Sequence, residues 1–363
     1  MEQLAQVKAA VRRKGADALL VTQPENRRYL SGYTAIDLSI AESSGVLVIP
    51  VRGTPLLLTD SRYQLQAEME AAGFDVVLLQ GNLLGALQKI LQRLAIRRLA
   101  FESHYLLYDA AKKLFGLGRK QGIEMIPTKG MIERLRVRKS VEEIEKIRKS
   151  VHLNEAVFQE VFANLQAGQT EREIALKIEA LMMQKGAEAP SFPTIVAAGP
   201  NAALPHAVPT DRAINQGETV IVDMGLRLEG YCSDMTRTVV LGRPDSRTVE
   251  IIRVVRQAQL AALRTIKAGI LACEADRAAR KIIARAGYGK NFGHGLGHGV
   301  GLAVHEAPSL NRLRRNKIQA GMVVTVEPGI YIRGWGGVRL ENMVVVGEKD
   351  CTVLNRDKTF LDL

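Results

Sequence analysis

Two stretches in the second half of the sequence repeat one pattern. Residues 217–225 read Gly, then ETVIV, then Asp, Met, Gly. Residues 321–329 read Gly, then MVVTV, then Glu, Pro, Gly. Each runs on through a glycine and an aromatic (Gly230–Tyr231; Gly334–Trp335) to a second acid, Asp234 or Glu341. Apolar residues follow both acids, at Val239–Val240 and Val344–Val346. Alternating apolar runs broken by glycine predict strand, hairpin-like turn, strand in each case. The repeat predicts a duplicated unit related by a pseudo-twofold axis.

The duplication has a chemical consequence. Each unit places one acid at the end of an apolar run and a second on the returning segment. Two such units facing each other bring four carboxylates together: Asp223, Asp234, Glu327 and Glu341. Buried carboxylates cannot share one place as anions unless cations compensate them. Two divalent metal ions balance four negative charges, and a neutral imidazole completes the shell. The sequence offers one in GHGLGHGVGLAVHE (293–306), where glycines permit close backbone approach around His294, His298 and His305. His206 lies upstream, so four of the six histidines fall in one region of the second half.

A chain of 363 residues exceeds what one core usually supports, so two domains are expected. The first part alternates strand patterns (17–22, 45–50, 56–59, 75–79, 98–101 and 124–127) with helical ones, which predicts an α/β domain. No glycine-rich phosphate loop follows its first strand. Ser140–Glu143 and Thr170–Glu173 are capping boxes ahead of helix-spaced apolar stripes. Two further helices are expected at 248–267 and 274–286. The division is placed at 1–130 and 131–363.

The net charge is +12, but basic residues are spread over both parts and no aromatics interleave with them, so neither nucleic acid nor membrane is an expected partner. The longest uncharged run, Ala189–Thr210, carries five prolines and reads as a stiff, irregular loop, not a membrane helix. Three cysteines far apart form no disulfide framework, and the N-terminus does not read as a signal peptide. A cytoplasmic protein is expected.

Several motifs taken together resemble the pita-bread metallopeptidases, specifically the aminopeptidase P and prolidase (Xaa-Pro dipeptidase) family. They are VDMG (222–225), YCSDMTRT (231–238), GHGLGHGVGLAVHE (293–306), VEPGIY (326–331) and VRLEN (338–342). PSFPTIVAAGPNAALPHAVP (190–209) is similar to the family's substrate loop, and DALLVTQPENRRYLSGY (17–33) resembles its creatinase-like N-terminal domain. The resemblance implies an α/β creatinase-like N-terminal domain followed by an α+β pita-bread catalytic domain. It also implies hydrolysis of Xaa-Pro bonds in dipeptides or longer peptides, and a homodimer.

Residue by residue, the resemblance implies that Asp223 binds one metal, Asp234 and Glu341 bridge both, and His298 and Glu327 complete the second. The hard donors suit manganese first, with cobalt, iron or zinc possible. Glu327 is implied as general base and acid, His305 and His294 as catalytic donors to the substrate, and His206 as a further substrate contact. Arg339 and Tyr331 match supporting positions beside Glu341 and Glu327, and Arg339 is expected to hold Glu341. Some prolidases carry an arginine soon after the His-Glu pair. Here the stretch reads APSLNRLRR, with Ser309 and a first arginine at 312. A methionine aminopeptidase is the alternative enzyme, and a non-catalytic pita-bread binding module is the alternative of another class. Retention of all five ligands argues against the module.

Overall fold

The computed structural model describes residues 2–362. It divides into two compact units between Arg136 and Val137.

The first unit runs α1 (Glu2–Arg13), β1 (Ala18–Val21), α2 (Pro24–Ser31), β2 (Val46–Pro50), β3 (Leu56–Thr59), α3 (Gln64–Glu70), β4 (Asp75–Leu78), α4 (Leu83–Arg93), β5 (Arg98–Glu102), α5 (Tyr108–Gln121), β6 (Glu124–Thr128) and α6 (Glu133–Arg136). Its six strands form one mixed sheet in the order β4-β3-β2-β1-β5-β6. The central strands are apolar throughout because both faces are covered. Ala18 and Leu20 of β1 join a core with Leu87, Leu91 and Leu114, whereas Leu19 and Val21 join one with Val7, Val11 and Ala67. Met131 and Ile132 pack into that second core, which keeps the segment just after residue 130 with the first unit.

The second unit begins with α7 (Val141–Ala163) and α8 (Glu171–Gln184). Both carry the reciprocal hydrogen bonds of a capping box, at Ser140–Glu143 and Thr170–Glu173. Six strands follow: β7 (Ala189–Pro190), β8 (Ile195–Ala198), β9 (Thr219–Met224), β10 (Leu226–Leu228), β11 (Tyr231–Cys232) and β12 (Met235–Val240). The chain then repeats the plan. Helices α9 (Ser246–Thr265) and α10 (Ala272–Arg285) precede β13 (Gly297–Gly299), β14 (Glu306–Leu310), β15 (Val323–Val326), β16 (Gly329–Ile332), β17 (Gly336–Arg339), β18 (Asn342–Val346) and β19 (Cys351–Val353).

The repeated sequence pattern is a repeated structure. In the first copy β9 pairs with β12 and β10 with β11; in the second β15 pairs with β18 and β16 with β17, all antiparallel. Each copy has its own apolar core. Val157 and Ile178 of α7 and α8 pack with Val220 and Val239 of the first copy. Ile252 and Ile283 of α9 and α10 pack with Val324 and Val344 of the second. The proline-rich stretch 189–210 is not loop throughout, because Ile195–Ala198 pairs with β9 as strand β8. Its prolines flank that strand and leave its backbone donors intact. No helix among the described residues is long and apolar enough to cross a membrane.

Candidate metal centre

The duplicated hairpins deliver their acids to one place. Asp223 is near the end of β9 and Asp234 immediately precedes β12; Glu327 immediately follows β15 and Glu341 immediately precedes β18. All four line a cavity of about 460 Å³, together with His206, His294, His298, His305 and Arg339. Tyr331 stands behind it, buried. The structure therefore gathers all the candidate site residues into or against one cavity.

Donor atoms of Asp234, His298 and Glu341 lie within 4.8 Å of one another. Nε2 of His298 is 3.5 Å from Asp234 Oδ2 and 3.4 Å from Glu327 Oε1. Nδ1 of His298 lies 3.1 Å from the Gly299 carbonyl, which can only accept. Nδ1 therefore carries the proton and Nε2 turns its lone pair toward the carboxylates, the tautomer a metal ligand needs. Gly297, beside it, has no room for a side chain: a Cβ would sit 2.1 Å from the Thr325 carbonyl oxygen.

Electrostatics in the cluster strongly oppose four bare anions. Burial, then the charges of Glu341, Asp223 and Glu327, pushes the Asp234 carboxyl well above its usual range. Burial, then Glu327 and Asp223, does the same to Glu341. Burial raises Glu327 to about 7, against the opposing pull of Arg339. Burial lowers His298 and His294 to about 4 and lowers His305 as well, so these rings stay neutral near pH 7. One buried atom is also left without a partner: Asp223 Oδ1 makes no hydrogen bond, while its Oδ2 accepts from Arg339 at 2.6 Å. Three carboxyls that resist ionisation, a neutral imidazole lone pair and an orphaned oxygen all fit bound divalent cations.

Arg339 holds Asp223 directly, not Glu341. The chain leaves β17 at Arg339, so strand alternation no longer places residues 339 and 341 on one face. The guanidinium also donates to Tyr331 Oη at 2.8 Å and to Thr236 Oγ1 at 3.0 Å. Thr236 in turn donates to Glu341 Oε2 at 2.8 Å. Thr325 is its counterpart, donating to Glu327 Oε1 at 3.1 Å and accepting the His298 backbone N–H at 3.0 Å. Both lie within the stretches the sequence picks out, Thr236 in YCSDMTRT and Thr325 in MVVTV, but neither is singled out there as a site residue. A signal for them exists: each stands two residues from an acid along the strand direction, hence on the same face.

Tyr331 sits between Arg339 and His294, with its hydroxyl 2.9 Å from His294 Nε2. His294 Nδ1 is 2.8 Å from the Gly295 carbonyl, so both ring nitrogens are engaged. The His305 ring is exposed and lies edge-on to His298, with centroids 4.4 Å apart. Ser309 and Asn311 of the APSLNRLRR stretch also line the cavity, whereas Arg312 does not.

Residues 145–348 match the model of metallopeptidase family M24. The chain belongs to that family. Residues 3–138 match the creatinase/prolidase N-terminal domain, so the M24 domain is joined here to its creatinase-type companion. The M24 relatives include an Xaa-Pro dipeptidase of Pyrococcus horikoshii, 33% identical over 346 residues that cover 94% of each chain. Among solved structures, the Xaa-Pro dipeptidase from Bacillus anthracis superposes with a TM-score of 0.92 at 36% identity, covering 99% of this chain and 98% of that one. The X-Pro aminopeptidase from Thermotoga maritima gives 0.87 at 35% identity, covering 96% and 98%. The fold is thus a creatinase-type N-terminal domain followed by an M24 pita-bread domain, and the protein is a metallopeptidase.

Proposed function

We propose that this M24 peptidase hydrolyses the bond between an N-terminal residue and a following proline, using two divalent cations. The observation that carries the reading is the single cavity into which both hairpin copies deliver their acids. Asp223 would hold one cation, His298 and Glu327 the other, with Asp234 and Glu341 shared. The carboxylate-rich donor set favours manganese, with cobalt, iron and zinc as alternatives. When bound, the cations supply Lewis-acid polarisation of the scissile carbonyl and acidification of water.

The chain's own residues supply the rest. Glu327, whose Oε1 lies 3.4 Å from His298 Nε2 in the same cavity, is assigned as general base and acid, as the family resemblance implies. His305 stays neutral and carries the donor aimed at the developing oxyanion. His294 and His206 contact the substrate; donation from His294 requires one of its two existing bonds to exchange. Arg339 fixes Asp223 and, through Thr236, Glu341. Phe192, Pro193, Ile195 and Ala207 form an apolar wall of the cavity. An Xaa-Pro bond is a tertiary amide without N–H, so such a wall leaves no buried donor unsatisfied.

The creatinase/prolidase N-terminal domain supports an Xaa-Pro enzyme over a methionine aminopeptidase. The names of the relatives point to both dipeptides and longer peptides. The neutral pair Ser309 and Asn311 favours longer peptides, because it suits a continuing amide better than a free carboxylate. Three free cysteines suit a reducing cytoplasm. A homodimer rests on the family resemblance alone.

Hydrolysis of Ala-Pro, Ala-Pro-Ala and Met-Ala-Ser by the manganese-loaded protein tests the reading. Cleavage of Ala-Pro-Ala above Ala-Pro, with Met-Ala-Ser inert, is expected. Preference for Met-Ala-Ser would overturn the proline assignment.

A further inference from the structure

Of the histidines in the stretch 293–306 only His298 lies in a strand, β13; His294 and His305 sit on the loop segments on either side of it. Residues 293–301 contain five glycines, and glycine gives the backbone its widest freedom. A group aligned for catalysis needs its backbone fixed to a fraction of an ångström. Something outside the loop must supply that, and two ion pairs lie where it is needed.

The first is Asp276–Arg280 on α10. Arg280 meets both Asp276 oxygens, at 2.9 and 2.7 Å, and Asp276 is only 1 % exposed. The rest of the guanidinium points into the loop. It donates to the Phe292 carbonyl at 2.7 Å and to the His294 carbonyl at 2.7 Å, and lies 4.0 Å over the Phe292 ring. Both backbone groups flanking Gly293 are thereby tied to a rigid helix.

The second is Lys139–Glu306, with side chains 1 % and 7 % exposed and 3.0 Å apart. Glu306 comes directly after His305. Its other oxygen accepts the Ala303 N–H at 3.1 Å, which closes the turn that presents His305. The carboxylate occupies the space a side chain at residue 301 would need: a Cβ on Gly301 would sit 2.6 Å from it. The Lys139 backbone N–H is held by the Gly321 carbonyl at 2.8 Å. A buried ion pair contributes little net stability compared with apolar packing, so its use here points to placement.

We propose that these two pairs are positioning devices, each acting through one histidine: Asp276–Arg280 through His294, and Lys139–Glu306 through His305. None of the four side chains lines the cavity. The proposal rests on the histidine roles proposed above, and its test separates the two.

The test is a pair of double-mutant cycles on the metal-loaded full-length protein, with Ala-Pro-Ala as substrate. Arg280→Lys and Glu306→Gln should each lower kcat/KM roughly ten- to a hundred-fold. Bound manganese should stay at the wild-type ratio. Adding R280K to His294→Ala should cost nothing further, and likewise E306Q added to His305→Ala, because each pair acts through that ring. The crossed combinations, R280K with H305A and E306Q with H294A, should multiply. Losses that multiply within a pair, or that accompany loss of manganese, would overturn the proposal. Wild-type turnover in H294A and H305A would instead overturn the histidine roles beneath it. Where R280K or E306Q does not melt cooperatively, Asp276→Asn and Lys139→Met enter the same cycles.

Discussion

Thr236 and Thr325 show what a site built from charged groups asks of its neutral neighbours. Each hydroxyl gives its proton to a cavity carboxylate, Glu341 or Glu327, and accepts one from another part of the site, Arg339 or the His298 backbone. Thr325→Val keeps the shape and removes both bonds. It should weaken manganese binding by about 10- to 100-fold, the usual cost of losing an outer partner of a ligand. Competition with a fluorescent chelator reads this, and an unchanged affinity would remove Thr325 from the metal's support. The acids and histidines are legible in the sequence because few other uses bring such groups together with glycines. The threonines are not, because alternating threonine is ordinary in any strand. The partner of Arg339 is illegible for a related reason: which carboxylate a long side chain reaches depends on where its strand ends.

Local signals set most element boundaries, and they fail where packing overrides them. Both capping boxes read from the sequence carry their reciprocal bonds. Thr170→Ala should lower stability by about 1 kcal/mol, seen as a lower urea midpoint at unchanged slope, with turnover as in wild type. Helix α5 runs on to Gln121, past Phe115, where its apolar pattern gives way to a glycine. Gly118 lies inside it because the Ile123 carbonyl leaves no space for a side chain there, a packing demand invisible along the sequence. Strand β8 is masked in the sequence by its flanking prolines. Helix α1 buries only Val7 and Val11, too short a stripe to stand out among its charges.

At the scale of the molecule, the duplicated hairpin is the most legible feature, because its spacing of acids and glycines survives in both copies. How the copies meet cannot be read from periodicity, which fixes faces but not partners. Their meeting makes stability depend on pH and metal together. A carboxyl whose pKa is higher in the fold than in the unfolded chain stabilises at low pH and loses that contribution as pH rises through the folded value. Glu327 rises from 4.5 to about 7, and Asp234 and Glu341 rise well above their ordinary values. The histidines act oppositely, since their lowered values remove stability only as pH falls below about 6.5. Between pH 6 and 8 the carboxyls dominate. The metal-free protein should therefore melt at a lower temperature at pH 8 than at pH 6, and excess manganese should abolish the difference. An apoprotein that melts higher at pH 8 would contradict this electrostatic account.

The four acids are shared equally between the two hairpin copies, two from each, while His298 comes from the second alone. During synthesis the first copy leaves the ribosome with two carboxylates and nothing to face them. Its core is built chiefly from α7 and α8 packed on its own strands, with Phe360 from the far end of the chain added to it. The first copy alone cannot assemble the shared cavity. If the cavity holds the two cations proposed above, their loading is a late event in the life of the chain. On the two-cation reading proposed above, activity then appears only once the second copy has closed over the first.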